Sequence, residues 1–472
     1  MKTPFAYMTC TAVLICSTAL FAQTNTPESV PSTTQTAKGG LRWDAGGDIR
    51  IQEEMYDDIP GMLGGNYHNY FRLRSRVWGQ VENDDFRLNI RFANEFFQTL
   101  KPTHDHSYQF PDELFVDNLY LDLNNLFWDR VNIRIGRQDF LGAQGPIYGA
   151  GRVLCDGTPA DTSRTVYMDA IKATITLDEK NTLDLLGIYN SAYNFLSFGH
   201  SHDAAGNTLD RRQLTMLHVP PPTDEMEEYG GGLYFKSREI KEVPFDLYYL
   251  FKRETDARLP GGAHVPGRST HTVGLRVTPK ISEALSAEIE GAAQAGEKDN
   301  GADCYGYMVY GGLTYSPNLS EKIKPYVTGA CYFLSGDKNR GTGDDDNAWN
   351  PLWARWPQIS ELYVYNFMYG AGYWSNLLYP HMQAGVSIGP GHRIGASTGP
   401  MFAAVEDDNG GGGGSLYGWL GTLRYDFLLF KGLFNNRGDV FGHVVGEVLD
   451  PGDYYASNDT AYFVRWELSL QF

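Results

Sequence analysis

After its first 20 residues the 472-residue sequence has no run of about 18 apolar residues, so it encodes no spanning helix. Cysteine is scarce. Two of the five lie in the N-terminal apolar stretch, and the remaining Cys155, Cys304 and Cys331 form no CxxC. That excludes a disulfide framework and leaves at most one pair to close. Basic residues are the minority charge, 39 Lys and Arg against 57 Asp and Glu, for a net charge of −18. With no dominant basic stripe, nucleic acid is excluded as a partner. HExxH, P-loop and GxSxG motifs are absent. His104, His106, His200, His202 and His264 read as loop residues with no nucleophile to serve, so the chain does not read as an enzyme.

What is present begins with Lys2, an apolar stretch from Phe5 to Leu20 and a small Ala22, the pattern of a secretory signal over residues 1–22. Residues 23–40 are polar, can bury nothing, and are expected to form a disordered periplasmic segment. Mean hydropathy is only −0.36, yet the chain carries 30 Tyr, 25 Phe, 9 Trp and 53 Gly. Strands that hide their hydrophobicity in alternation, ringed by aromatic belts and joined by turns, have this composition.

The alternation is clearest at the C-terminus. Tyr462, Val464, Trp466, Leu468, Leu470 and Phe472 fall on one face, and Phe463, Arg465, Glu467, Ser469 and Gln471 on the other. A terminal Phe resembles the signal read by the outer-membrane assembly machinery. The same period of two recurs at 71–77, 86–92, 131–135, 245–252, 285–290 and 423–427. Eight short connections alternate with nine long polar ones, among them Leu141–Thr165, Ser191–Met226, Gly296–Asp303 and Gly336–Asn376. The expectation is all-β: a transmembrane antiparallel up-and-down β-barrel of about 18 strands over residues 41–472, set in outer-membrane lipid. Glu361–Gly370 is placed in the seventh long loop; read as strand, it would shift the count within 16–20.

Arginine then sorts by face. Arg50, Arg72, Arg74, Arg76, Arg87, Arg91 and Arg134 occupy inward positions on the first five expected strands. Arg424, Arg465 and Glu467 lie on strands 16 and 18, and closure brings the last strand beside the first. Asp246, Glu288 and Glu290 fall on the opposite side. An arginine arc facing an acidic arc would set a transverse field that guides anions along one wall. The competing reading is that these charges pair and brace the wall.

The stretch Ile133–Ile175 contains Gly136-Arg137-Gln138 at a strand end, Arg152 in a Gly-rich loop and Asp169-Ala170 opening the next strand. It resembles the core of the alginate-export family of outer-membrane barrels. That resemblance implies 18 strands, an Arg-rich anion-selective pore with plugging loops, and a monomer. It adds Arg137 and Arg152 to the candidate pore residues. The chain departs from the family at Phe430–Arg437, too short for a long plugging turn. The function expected is a channel for anionic or sugar-like solutes, or for an anionic polysaccharide. The alternative is a surface binding or adhesion protein that displays its long loops on a closed barrel. No cofactor is expected, unless Asp344, Asp345 and Asp346 of an acidic loop bind Ca²⁺ rather than simply face solvent.

Overall fold

In a computed structural model the described residues are 40–60, 67–101, 113–140, 148–155, 168–191, 196, 198, 201–202, 208–209, 227–258, 264–338, 345–354, 359–363, 374–406 and 410–472. The leader and the polar segment expected over 23–40 lie outside them, residue 40 excepted.

Eighteen antiparallel strands form one closed sheet. In chain order, strands 1–6 are Arg42–Asp57, His68–Glu82, Phe86–Lys101, Glu113–Asn125, Val131–Gln138 and Met168–Thr176. Strands 7–12 are Asn181–Asn190, Glu228–Ser237, Phe245–Glu254, Arg268–Val277, Leu285–Lys298 and Asp303–Tyr315. Strands 13–18 are Ile323–Leu334, Leu377–Ile388, His392–Phe402, Leu416–Gly432, Gly438–Pro451 and Ala461–Gln471. Each strand pairs with its sequence neighbours, and strand 1 also pairs with strand 18. Reciprocal Gly47–Phe472 backbone hydrogen bonds of 2.7 and 2.9 Å finish that seam. Closure leaves no free edge, which a bilayer requires because it offers no water to unpaired backbone.

The pleat turns apolar residues such as Ile49, Val77, Leu88, Leu247, Val309, Met382 and Leu423 outward, where they remain exposed. Exposed aromatics mark two belts. Trp43, Trp128, Tyr315 and Phe434 lie at the short-turn end; Tyr189, Tyr305, Trp419 and Tyr462 lie toward the long-loop end. The chain therefore carries a lipid-facing band with interfacial anchors on both rims.

Two local features differ from expectation. Gly296–Asp303 is no long loop: strands 11 and 12 continue to a tight turn over 299–302, closed by Lys298 and Ala302 at 2.8 Å. Gly301, at φ +86°, supplies the left-handed residue this turn needs. Strand 5 is also short, and strand 4 outruns it. The end of strand 4 beyond strand 5 is paired by the connection between strands 7 and 8, through Val116 N–H to Leu196 O (2.9 Å) and Phe198 N–H to Leu114 O (2.6 Å). Residues 361–363 form a helical turn between strands 13 and 14, not a barrel strand; 364–370 lie outside the described residues.

Candidate functional site: a lumen with one covered wall

Inside the barrel two loops meet. Leu154–Cys155, between strands 5 and 6, pairs in parallel with Trp353–Ala354, between strands 13 and 14. All four residues are fully buried, with Tyr148, Val153 and Leu352 beside them. Backbone groups of this plug bond to inward side chains. Lys252 Nζ donates to Leu352 O at 2.9 Å, Gln294 Nε2 donates to Asn350 O at 2.8 Å, and the Gly149 N–H donates to the Tyr234 hydroxyl at 3.0 Å. A loop inside a lumen must satisfy its own backbone, and this one does so against strands 8, 9 and 11.

Arg152 is the bolt of the plug. Its Nη1 lies 2.8 Å from Glu288 and 2.6 Å from Glu290, and its guanidinium sits 3.7 Å over the Tyr310 ring. It is fully buried, so it anchors the loop and does not line open pore as the resemblance implied. The supposed acidic arc is thus the socket for a cation. Arg276 also contacts Glu288 and Asp246, at 2.9 and 3.3 Å.

The arginine arc is present and inward, but carboxylates are interleaved with it. Asp48 lies 3.3 Å from Arg74 and 2.7 Å from Arg76. Glu95 lies 3.0 Å from Arg72 and 3.7 Å from Arg50. Arg91 reaches Asp117 at 2.7 Å and Asp139 at 3.0 Å, Arg134 grips Asp122 with two bonds of 2.6 and 2.9 Å, and Arg87 meets Glu82 at 2.7 Å. Arg424 pairs with Asp426 at 2.6 Å, while Glu467 is 3.9 Å from both Arg50 and His443. A purely transverse field is therefore replaced by ion pairs within each wall. The reason is parity: Asp48, Glu54 and Glu95 share the inward face with the arginines, and counting arginines alone missed them.

Arg137 moves furthest from its expected place. It stands three residues from Arg134, so alternation sets the two on opposite faces. Its register partners are Leu119 and Asp169, and it donates to Asp169 at 2.8 Å and to the Val116 carbonyl at 2.9 Å. The Gly-Arg-Gln strand end braces the step between strands 4, 5 and 6.

A strap between strands 13 and 14 ties the plug to the far wall. The Glu447 carboxylate accepts hydrogen bonds from Ser360 Oγ (2.5 Å), Glu361 N–H (3.2 Å) and Leu362 N–H (2.9 Å). Arg465 holds the Glu361 carboxylate at 2.9 Å. Burial pushes the Glu361 carboxyl up to about 8, against the pull of Arg465 and with Glu54 and Glu447 adding to the rise.

Exposure differs among the inward cations, and Arg268 and Lys236 on strands 10 and 8 also keep 17 % and 26 % of their side-chain surface open. The side chains of Arg72, Arg76, Arg91 and Arg134 keep 12–14 % of their surface open, whereas Arg50, Arg152 and Arg465 keep 0–3 %. Lys172 on strand 6, in register beside Arg134, has no carboxylate within ion-pair distance among the described residues. Nothing in the sequence singled it out, because its distinction is a missing partner. Buried His381 and His443 were also passed over, being read neither as loop nor as motif.

Cys304 and Cys331 are free thiols, and Cys155 is buried in the plug. Of the acidic-loop trio, Asp344 lies outside the described residues. Asp346 is bound by Lys298 at 2.7 Å and lies 3.6 Å from Arg268, and Asp345 accepts the Asp303 N–H at 3.2 Å. His104, His106 and His200 lie outside the described residues, and His264 is exposed.

No family model and no curated protein matches this sequence. By structure the chain is similar to OccAB1 of Acinetobacter baumannii, with TM-score 0.51, 9% identity and coverage of 91% of this chain and 97% of that one. OpdQ of Pseudomonas aeruginosa gives 0.51 and 12%, covering 91% and 97%. The outer membrane protein OpdK of Pseudomonas aeruginosa gives 0.50 and 10%, covering 91% and 98%. At such identities the shared property is the fold, a closed barrel of 18 strands. With its lipid-facing band, the chain is an outer-membrane β-barrel. The alginate-export resemblance finds no support in these matches.

Proposed function

We propose that the protein is a channel for small anionic solutes, which move along the wall formed by strands 2–6. The observation that carries this reading is the run of part-exposed guanidiniums at Arg72, Arg76, Arg91 and Arg134, continued by Lys172, which is in register beside Arg134. A guanidinium has five N–H donors, and a carboxylate partner occupies only some of them. A passing carboxylate or phosphate can bind the rest and hand over to the next cation without leaving an ion unpaired. An extended polysaccharide is less favoured, because the plug fills lumen beside strands 7–13.

Fully buried Trp349, Trp353 and Trp374 favour a second reading, in which the plug closes the barrel and the outer loops bind partners. Liposome swelling separates the two. Glucuronate is expected to enter proteoliposomes faster than the cationic glucosamine. Equal rates would remove the anion preference, and no swelling with any solute would favour the closed barrel.

A further inference from the structure

The inward face of strands 13–16 carries a row unlike the ion-paired wall. Thr328, Gln383, Ser397 and Thr422 stand in register, one per strand, and all are buried and uncharged. The row extends to Thr314, whose hydroxyl meets that of Thr328 at 2.8 Å, and it ends at Glu447 on strand 17. Two residues from Gln383 on the same face, His381 stacks on Tyr379 (4.4 Å) and Tyr332 (5.8 Å). Trp374 lies 5.5 Å from the Tyr332 ring.

Four buried polar atoms here have no hydrogen-bond partner among the described residues: Gln383 Oε1, Thr422 Oγ1, His381 Nε2 and Trp374 Nε1. Their residues are between 1% and 8% exposed. His381 Nδ1 lies 3.1 Å from the Tyr379 carbonyl, which can only accept, so Nδ1 carries the proton and Nε2 is left as an acceptor. The unmet set is two acceptors, one donor and one hydroxyl that does both. Leaving such groups unmet is costly, which marks the row as built for something that meets them. A carboxylate or phosphate group brings acceptors only and would leave Gln383 and His381 unserved. A hydroxyl serves every member of the set, and flat rings alongside suit the C–H face of a sugar.

We propose that this row is an internal binding site for a neutral polyhydroxyl solute of monosaccharide size, distinct from the anion wall. The strap lies across its end. Ser360 Oγ occupies Glu447 as a sugar hydroxyl would, so strap and solute compete for one carboxylate. The site needs a lumen that solutes can enter but does not need conduction.

The test is a tryptophan-fluorescence titration of the detergent-solubilised full chain with glucose, and with glucuronate as its charged counterpart. Glucose is expected to saturate a signal that glucuronate reaches at least tenfold more weakly. Gln383→Leu with Thr422→Val should weaken glucose binding about tenfold, and Ser360→Ala should strengthen it. Heat-modifiable gel migration confirms that each variant keeps the barrel. Glucose binding that is absent, or unaltered in the double variant, would overturn the site even if anion conduction were normal. Tight glucose binding with no conduction would sink the channel reading and leave the site standing.

Discussion

The two walls of this barrel are built from the same ion pairs and put them to different ends. On strands 7–13 the charges close over a loop: Glu288 and Glu290 hold Arg152, and Lys252 holds the Leu352 carbonyl. On strands 2–6 the pairs run along the wall itself, and the guanidiniums keep part of their surface open. A buried pair whose partner comes from a distant loop is a tether. A part-exposed pair between neighbouring strands is both a brace and an exchangeable contact. The difference lies in what covers the charge, not in which residues supply it.

The largest effect is expected at the tether. Arg152→Met leaves the buried Glu290 without its cation, and breaking such a pair costs about 3–5 kcal/mol. The plug should detach, with higher single-channel conductance and a lower thermal unfolding midpoint. Unchanged values in both would show that Arg152 does not seat the loop.

Next comes the open wall. Arg91→Gln with Arg134→Gln leaves Asp117, Asp139 and Asp122 without these cations. The chloride-to-potassium permeability ratio should fall severalfold while the unfolding midpoint moves less than in Arg152→Met. A larger loss of stability than of selectivity would make these arginines braces only.

The strap should respond to pH. Glu361 titrates near 8 when docked, against an ordinary 4.5, so docking favours the protonated carboxyl. Strap docking is then at full strength below 4.5, weakens as pH rises through this window, and is weakest above about 8. Conductance recorded from pH 5 to 9 should rise, and Glu361→Gln should flatten the profile. A profile that stays steep in that variant would place the switch elsewhere.

The smallest effect is expected from Lys172→Gln, which removes one inward charge beside Arg134 and breaks no ion pair among the described residues. Selectivity should shift modestly with stability intact, and a null result would confine the anion path to the arginines.

The strand plan was legible because lipid enforces a period of two, and Tyr462–Phe472 shows it without interruption. So were the inward arginines, since parity fixes the face of Arg72, Arg74 and Arg76 once the strand is found. The same parity puts Asp48 on the face of Arg50 and sets Arg137 out of phase with Arg134. The tether was beyond reach: Arg152 and Glu290 are 138 residues apart, and only the folded loop joins them. The turn at 299–302 was hidden because Gly, Glu and Lys near a strand end look the same in a long loop as in an extended strand.

The most direct test of the account is the reversal potential of the reconstituted wild-type protein across a bilayer with a KCl gradient. A sign that reports chloride as the more permeant ion, and that shrinks in Arg91→Gln/Arg134→Gln, is the expected result. A potassium-selective potential would contradict it, because the open wall would then be governed by its aspartates and not by its arginines.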